Sequence, residues 1–131
     1  MYKIAAIMVG LPNVFFGLLW LFNPMAVLVL WGVDDASHQL MVERRLGVVL
    51  LGVGVLLLAS RNAGPSPARS AICYGVATSA TALVALSIYD LIANGISSGI
   101  VPGIGINVAT ALAFIAIEWH AYRTQKKSTS P

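Results

Sequence analysis

The run LGVVLLGVGVLLLA, Leu46 to Ala59, carries no charge and is closed by Arg44 and Arg45 in front and Arg61 behind. Extended back to Leu40 it spans about 20 residues, which as a helix covers roughly 30 Å, the depth of a bilayer's hydrocarbon core. Glu43, Gly47, Leu50 and Gly54 share one face of that helix, and Gly52 falls off the line. Glycines weaken a helix in water, so in a membrane segment they mark the side where another helix comes close.

Three more segments are as apolar as this one. The chain has 131 residues, of which 58% are hydrophobic and 10% charged, and its mean hydropathy is +0.84. Ordinary soluble domains are about 25% charged, and a chain this short has too little interior to hide four long apolar runs. The expected fold class is therefore all-α, an integral membrane four-helix bundle. Its spans fall at about 4–22, 36–60, 70–91 and 104–122 within one domain of residues 1–122. Residues 123–131 read as a basic, polar and disordered tail.

The first span holds Pro12, which predicts a kink. Ala6, Gly10, Asn13 and Gly17 lie on one face, where small residues admit a neighbouring backbone and Asn13 is expected to hydrogen-bond across the contact. Trp20 and Phe22 read as its interfacial end. Asn23-Pro24, a helix start with Asn as cap and Pro at the first position, stands where a signal peptide would carry a small-residue cleavage site, so the first span is read as retained. The segment 24–33 is too short to cross and is read as interfacial, re-entrant or a short strand. Asp34, Asp35 and Ser37 cap the second long helix. RNAGPSPARS, residues 61–70, is a turn. Along the third span Tyr74, Thr78, Thr81 and Ala85 make a small or mildly polar face, whose threonines can return their protons to the preceding turn. Residues 94–103 read as a loop near the interface. The fourth span carries Asn107, Ala111, Phe114 and Glu118 on one side.

With both termini inside, the inner side receives Lys3, Arg61, Arg69, Arg123, Lys126 and Lys127, and the outer side only Arg44 and Arg45. That asymmetry predicts an N-in, C-in topology. Depth then sorts the polar residues. Asp34, Asp35, His38, Glu43, Arg44, Arg45, Asp90 and Asn107 gather at the outer end, with Glu43 facing inward and Arg44 or Arg45 bridging to Asp90. This cluster reads as an ion-pair cap or as a ligand vestibule. Asn13, Thr78 and Thr81 are the polar groups within the membrane. Glu118, His120, Arg61 and Arg69 lie at the inner end, where Glu118 can reach water or pair with an arginine.

Several function classes fall away. The basic residues sit at the ends of apolar segments and form no nucleic-acid stripe. Cys73, the single cysteine, permits neither an intrachain disulfide nor a CxxC pair and reads as a small buried thiol. His38 and His120 belong to opposite sides of the membrane, so they cannot both ligate one haem, and no metal-ligand set or other cofactor site is expected. Neither GxGxxG nor GxxxxGK[ST] occurs, and no nucleophile–base pair stands out, so no catalytic residues are assigned.

Four spans in a chain of this size, about twenty residues after the first span, and the run ERRLGVVLLGVGVLLL (Glu43 to Leu58) resemble the DoxX-like group of small bacterial membrane proteins. Arg45 followed by Gly47, Gly52 and Gly54 is similar to that group's entry to its second helix. The resemblance implies a four-helix bundle in the bacterial inner (plasma) membrane, working beside partner proteins or lipids. Some members of the group are subunits of quinone-linked oxidoreductases. Small multidrug transporters are similar in length, but the acidic residue of their first span is missing here, where only Asn13 stands. The leading expectation is an accessory, assembly or interaction subunit that contacts membrane lipids and forms a homo-oligomer or joins a membrane-protein partner. A carrier or channel for a small solute comes second, with Asn13, Thr78, Thr81 and Asn107 lining one cavity. A lipid- or quinone-linked enzyme subunit with its polar site at the outer end comes third.

Overall fold

The computed structural model describes residues 1–30, 40–93 and 101–128, and among these the side chains of all but 30, 40–43, 90 and 125–128. The described residues are helical apart from short turns, with no strand among them. The elements are α1 (Tyr2–Phe22), α2 (Pro24–Leu30), α3 (Leu40–Ser60), α4 (Pro67–Ala93) and α5 (Val101–Ser128). Three of them, α1, α4 and the Val101–Thr124 part of α5, are long and apolar enough to cross a membrane. The four long helices alternate in direction, since the starts of α1 and α4 meet the ends of α3 and α5 in one core.

The boundaries depart from the sequence reading in ways that local chemistry explains. Ser66 caps α4, its hydroxyl accepting from the Arg69 N–H at 3.2 Å and its carbonyl from that of Ser70 at 3.0 Å. The helix therefore begins at Pro67, a residue suited to a first helical turn, and not at 70. At its other end α5 takes in residues 123–128, which the sequence reading had placed in the disordered tail; Arg, Gln and Lys there are good helix formers. The expected caps at 34–37, the helix start at 36–39, the loop at 94–100 and the last residues 129–131 lie outside the described residues.

Segment 24–30 is a helix, which removes the strand alternative. Asn23 Oδ1 accepts from the Ala26 N–H at 3.4 Å and Pro24 stands at the first position, as the Asn-Pro pair predicts. Val27 and Leu28 bury themselves against Trp20, with Leu19 and Leu50 packed beside them. Trp20 is thus 2% exposed and lies under α2, covered by protein, whereas Phe22, at 77%, remains outside.

Among the described residues α1 and α3 come together backbone against backbone. A β-carbon added at Gly17 would stand 2.6 Å from the Leu51 backbone nitrogen and 2.9 Å from the Gly47 carbonyl oxygen. One added at Gly54 would stand 2.7 Å from the Val14 nitrogen and 2.8 Å from the Gly10 oxygen. The two helices run antiparallel and meet at two points, Gly10 on Gly54 and Gly17 on Gly47. Seven residues separate the glycines on each helix, about two turns, so both contacts fall on one stripe. Gly52 has nothing within 4 Å, as its place off that stripe requires.

Candidate functional site

The residues singled out within the spans do not gather. Asn13 Nδ2 donates to the Val9 carbonyl at 2.9 Å, a bond within its own helix and not the expected bridge across the contact. With Gly17 and Gly54 bringing the backbones together next to it, the amide has a nearer acceptor one turn back. Thr81 Oγ1 donates to Ala77 O at 2.8 Å, and Asn107 Nδ2 to Gly103 O at 3.1 Å. Thr78 and Thr81 stand on the exposed side of α4 with Tyr74 and Ala85, while Cys73, Ala77 and Ala80 form its buried side. On α5 the expected side is found inward, with Ala111, Phe114 and Glu118 buried and Asn107 half-buried.

At the expected outer end, Arg44 and Arg45 are exposed. The side chains of Glu43 and Asp90, and hence the bridge drawn from Arg44 or Arg45, lie outside the described residues, as do Asp34, Asp35 and His38.

Among the described residues a polar cluster forms at the other end. Arg69 and Glu118, 7% and 8% exposed, form the one ion pair among the described residues, Arg69 Nη2 donating to Glu118 Oε1 at 3.5 Å. Ser70 Oγ donates to Glu118 Oε2 at 2.6 Å, so both carboxylate oxygens have a partner, and the Cys73 thiol lies beside the same carboxylate. A buried carboxylate is tolerable on these terms alone, because removal from water is offset only by a close opposite charge and full hydrogen bonding. The Arg69 guanidinium also sits 5.3 Å from the centre of the Tyr2 ring, which meets Phe114 edge-on at 6.4 Å. Tyr2 Oη and Ser60 Oγ share a hydrogen bond of 2.7 Å. Every long helix therefore contributes to a single network: Tyr2 from α1, Ser60 from α3, Arg69 and Ser70 from α4, and Phe114 and Glu118 from α5. Arg69 Nε is buried there without an acceptor.

Sequence reasoning places Arg69 and Glu118 at one end and leaves Glu118 either water or an arginine as partner; the structure buries it against Arg69. Sequence reasoning missed Tyr2, Ser60 and Ser70, whose spacing along the chain carries no signal; only the depth at which each helix begins or ends places them together. The arrangement neutralises a buried charge and ties helix ends. Among the described residues no three His, Cys, Asp or Glu side chains converge as metal ligands would. No family model, curated protein or solved structure matches the chain.

Proposed function

We propose that the chain is a four-span protein of the bacterial inner membrane, with both termini inside, serving as an accessory, assembly or interaction subunit. The observation that carries this reading is where the polar groups of the spans direct their donors. Asn13, Thr81, Asn107 and Thr110 each donate to a carbonyl one turn back in the same helix. A solute path needs polar groups turned toward a shared lumen; these are turned back on their own helices. The long helices meanwhile present large apolar side chains outward along most of their length, among them Ile4, Met8, Phe15, Val49, Leu86 and Leu112. Such surface suits lipid and neighbouring transmembrane helices. The DoxX-like resemblance is consistent with this role and supplies the inner-membrane assignment.

The N-in, C-in orientation draws support from the shared end at which α1 begins and α5 finishes, since the basic residues Lys3, Arg61, Arg69 and Arg123 collect there. Cysteines placed at Lys3 and Lys126 are expected to react with a membrane-impermeant maleimide only after the cells are opened, and one at Arg45 without opening. Cys73, 1% exposed, stays silent. Labelling of positions 3 and 126 from opposite faces would refute the orientation.

Native mass spectrometry of the gently extracted protein tests the role itself. The expected species exceeds the 13.8 kDa of one chain, as a homo-oligomer or with a second membrane protein attached. A lone chain that passes a small solute into proteoliposomes, and loses that flux on Asn13→Ala, would overturn the accessory reading in favour of a carrier.

A further inference from the structure

Two cavities open beside Arg69. One, of about 380 Å³, is walled by Tyr2, Pro65, Ile117, His120 and Thr124. The other, of about 810 Å³, runs as a groove along α4 and α5, with Ser66, Ser70 and Tyr74 on one wall and Ile115, Trp119 and Tyr122 on the other. The second is graded along its length. Where α4 begins it is polar, with Ser66, Ser70 and the Arg69–Glu118 pair. About a turn further along α4 it is bounded by Tyr74 and Ile115, which are 61% and 51% exposed and so face outward from the protein.

The two charges that line the groove balance, but its hydrogen bonding is incomplete and a further cation stands beside it. The net charge of Arg69 is cancelled by Glu118, yet its buried Nε has no acceptor. A second cation, Arg123, holds its guanidinium 5.0 Å from the centre of the ring of Trp119, a residue of the groove wall. Glu118 engages both oxygens with Arg69 and Ser70, so it leaves Arg123 uncompensated. The site is thus built for an amphipathic anion: a cationic, hydrogen-bonding end, an aromatic rim of Trp119 and Tyr122, and an apolar wall open to the side.

We propose that this groove binds an anionic phospholipid of the surrounding bilayer, its phosphate between Arg69 and Arg123 and its acyl chains along Tyr74 and Ile115. The inference rests on the membrane reading above. A soluble phosphate has no use for the apolar wall, whereas a lipid uses both ends. Trp and Tyr at the rim match the headgroup level at which such side chains concentrate.

The full-length protein in mild detergent is titrated with dioleoylphosphatidylglycerol, with dioleoylphosphatidylcholine, or with inorganic phosphate, and bound species are counted by native mass spectrometry. Phosphatidylglycerol is expected to be retained over phosphatidylcholine. Arg123→Gln is expected to lower that retention about fivefold, the size of one basic side chain's attraction to an anionic lipid. Arg123 is exposed, so its loss leaves the fold intact. Arg69→Lys, which keeps the charge opposite Glu118, is expected to lower it as well. Arg61→Gln, an exposed arginine at the same end whose guanidinium bonds the Leu58 carbonyl and not a residue of the groove wall, is the control and should leave retention unchanged. Equal retention of the two lipids, or an equal effect of Arg61→Gln and Arg123→Gln, overturns the proposal; so does binding of inorganic phosphate that excludes the lipid. Failure of the membrane reading is separately visible as a protein that stays in solution without detergent.

Discussion

Gly17→Ala is expected to lower the thermal midpoint of the detergent-solubilised protein sharply, and Gly52→Ala to leave it level or raise it. Both add one methyl group to a helix. At Gly17 that methyl would stand 2.6 Å from the Leu51 nitrogen and 3.0 Å from its Cα, atoms of a helix backbone that has no rotamer with which to yield. The two helices must then part along the stripe, undoing the second contact at Gly10 and Gly54 as well. Overpacking of this kind costs about 1–3 kcal/mol, and more where backbone has to move. Lipid tails are as apolar as the helix surfaces, so close packing is the main attraction that α1 and α3 have for each other, and parting removes it. Gly54→Ala belongs with Gly17→Ala, its methyl falling 2.7 Å from the Val14 nitrogen. Gly10→Ala is milder, because its nearest neighbour at 3.0 Å is the movable side chain of Leu58. At Gly52 there is open space, and alanine is the better helix former by about 1 kcal/mol. Equal losses at Gly17 and Gly52, read by circular dichroism melts, would show that glycine content matters and contact does not.

The two faces that meet in the α1–α3 contact were legible because their signal is a spacing, though which helix each would meet was not. Residues seven apart return to the same face of a helix, and small side chains at 10, 17, 47 and 54 leave few other uses for those faces. The inward side of α5 was legible for the same reason. The buried side of α4 was not: Tyr74, Thr78 and Thr81 differ from Cys73, Ala77 and Ala80 by a single step of the helix, about 100° of rotation. Both sets are small, apart from the tyrosine, so size does not choose between them. Contact with Phe114 and Leu57, far off in sequence, does. Counting charges by depth likewise put Arg69 and Glu118 at one end but carried no information about rotation around the helix axes. Nor does hydropathy register that Tyr2, at the edge of a span, bonds a serine 58 residues away.

The network at that end supports the second large prediction. Glu118→Leu leaves the Arg69 guanidinium buried with its one ion-pair partner gone, and Arg69→Leu does the same to the carboxylate; each is expected to destabilise the protein by about 3–5 kcal/mol. The double variant Arg69→Leu/Glu118→Leu should recover most of that loss, since it removes both desolvated charges and fills their place with apolar volume. The physical ground is that pairing repays a cost which burial itself created: the 3.5 Å contact is needed because the groups are 7% and 8% exposed, and ceases to be needed when neither is charged. Ser70→Ala sits between the extremes, removing a 2.6 Å hydrogen bond to the carboxylate while leaving the ion pair in place; a bond to a charged group is worth about 1.5–3 kcal/mol. Thermal melts of the four variants in one detergent decide the matter. If the double variant is as unstable as the worse single one, charge burial is not what holds these helix ends. The cation over the Tyr2 ring, a side-chain contact of Arg69 that does not involve Glu118, would then be the contribution to weigh, and both Arg69→Leu variants remove it.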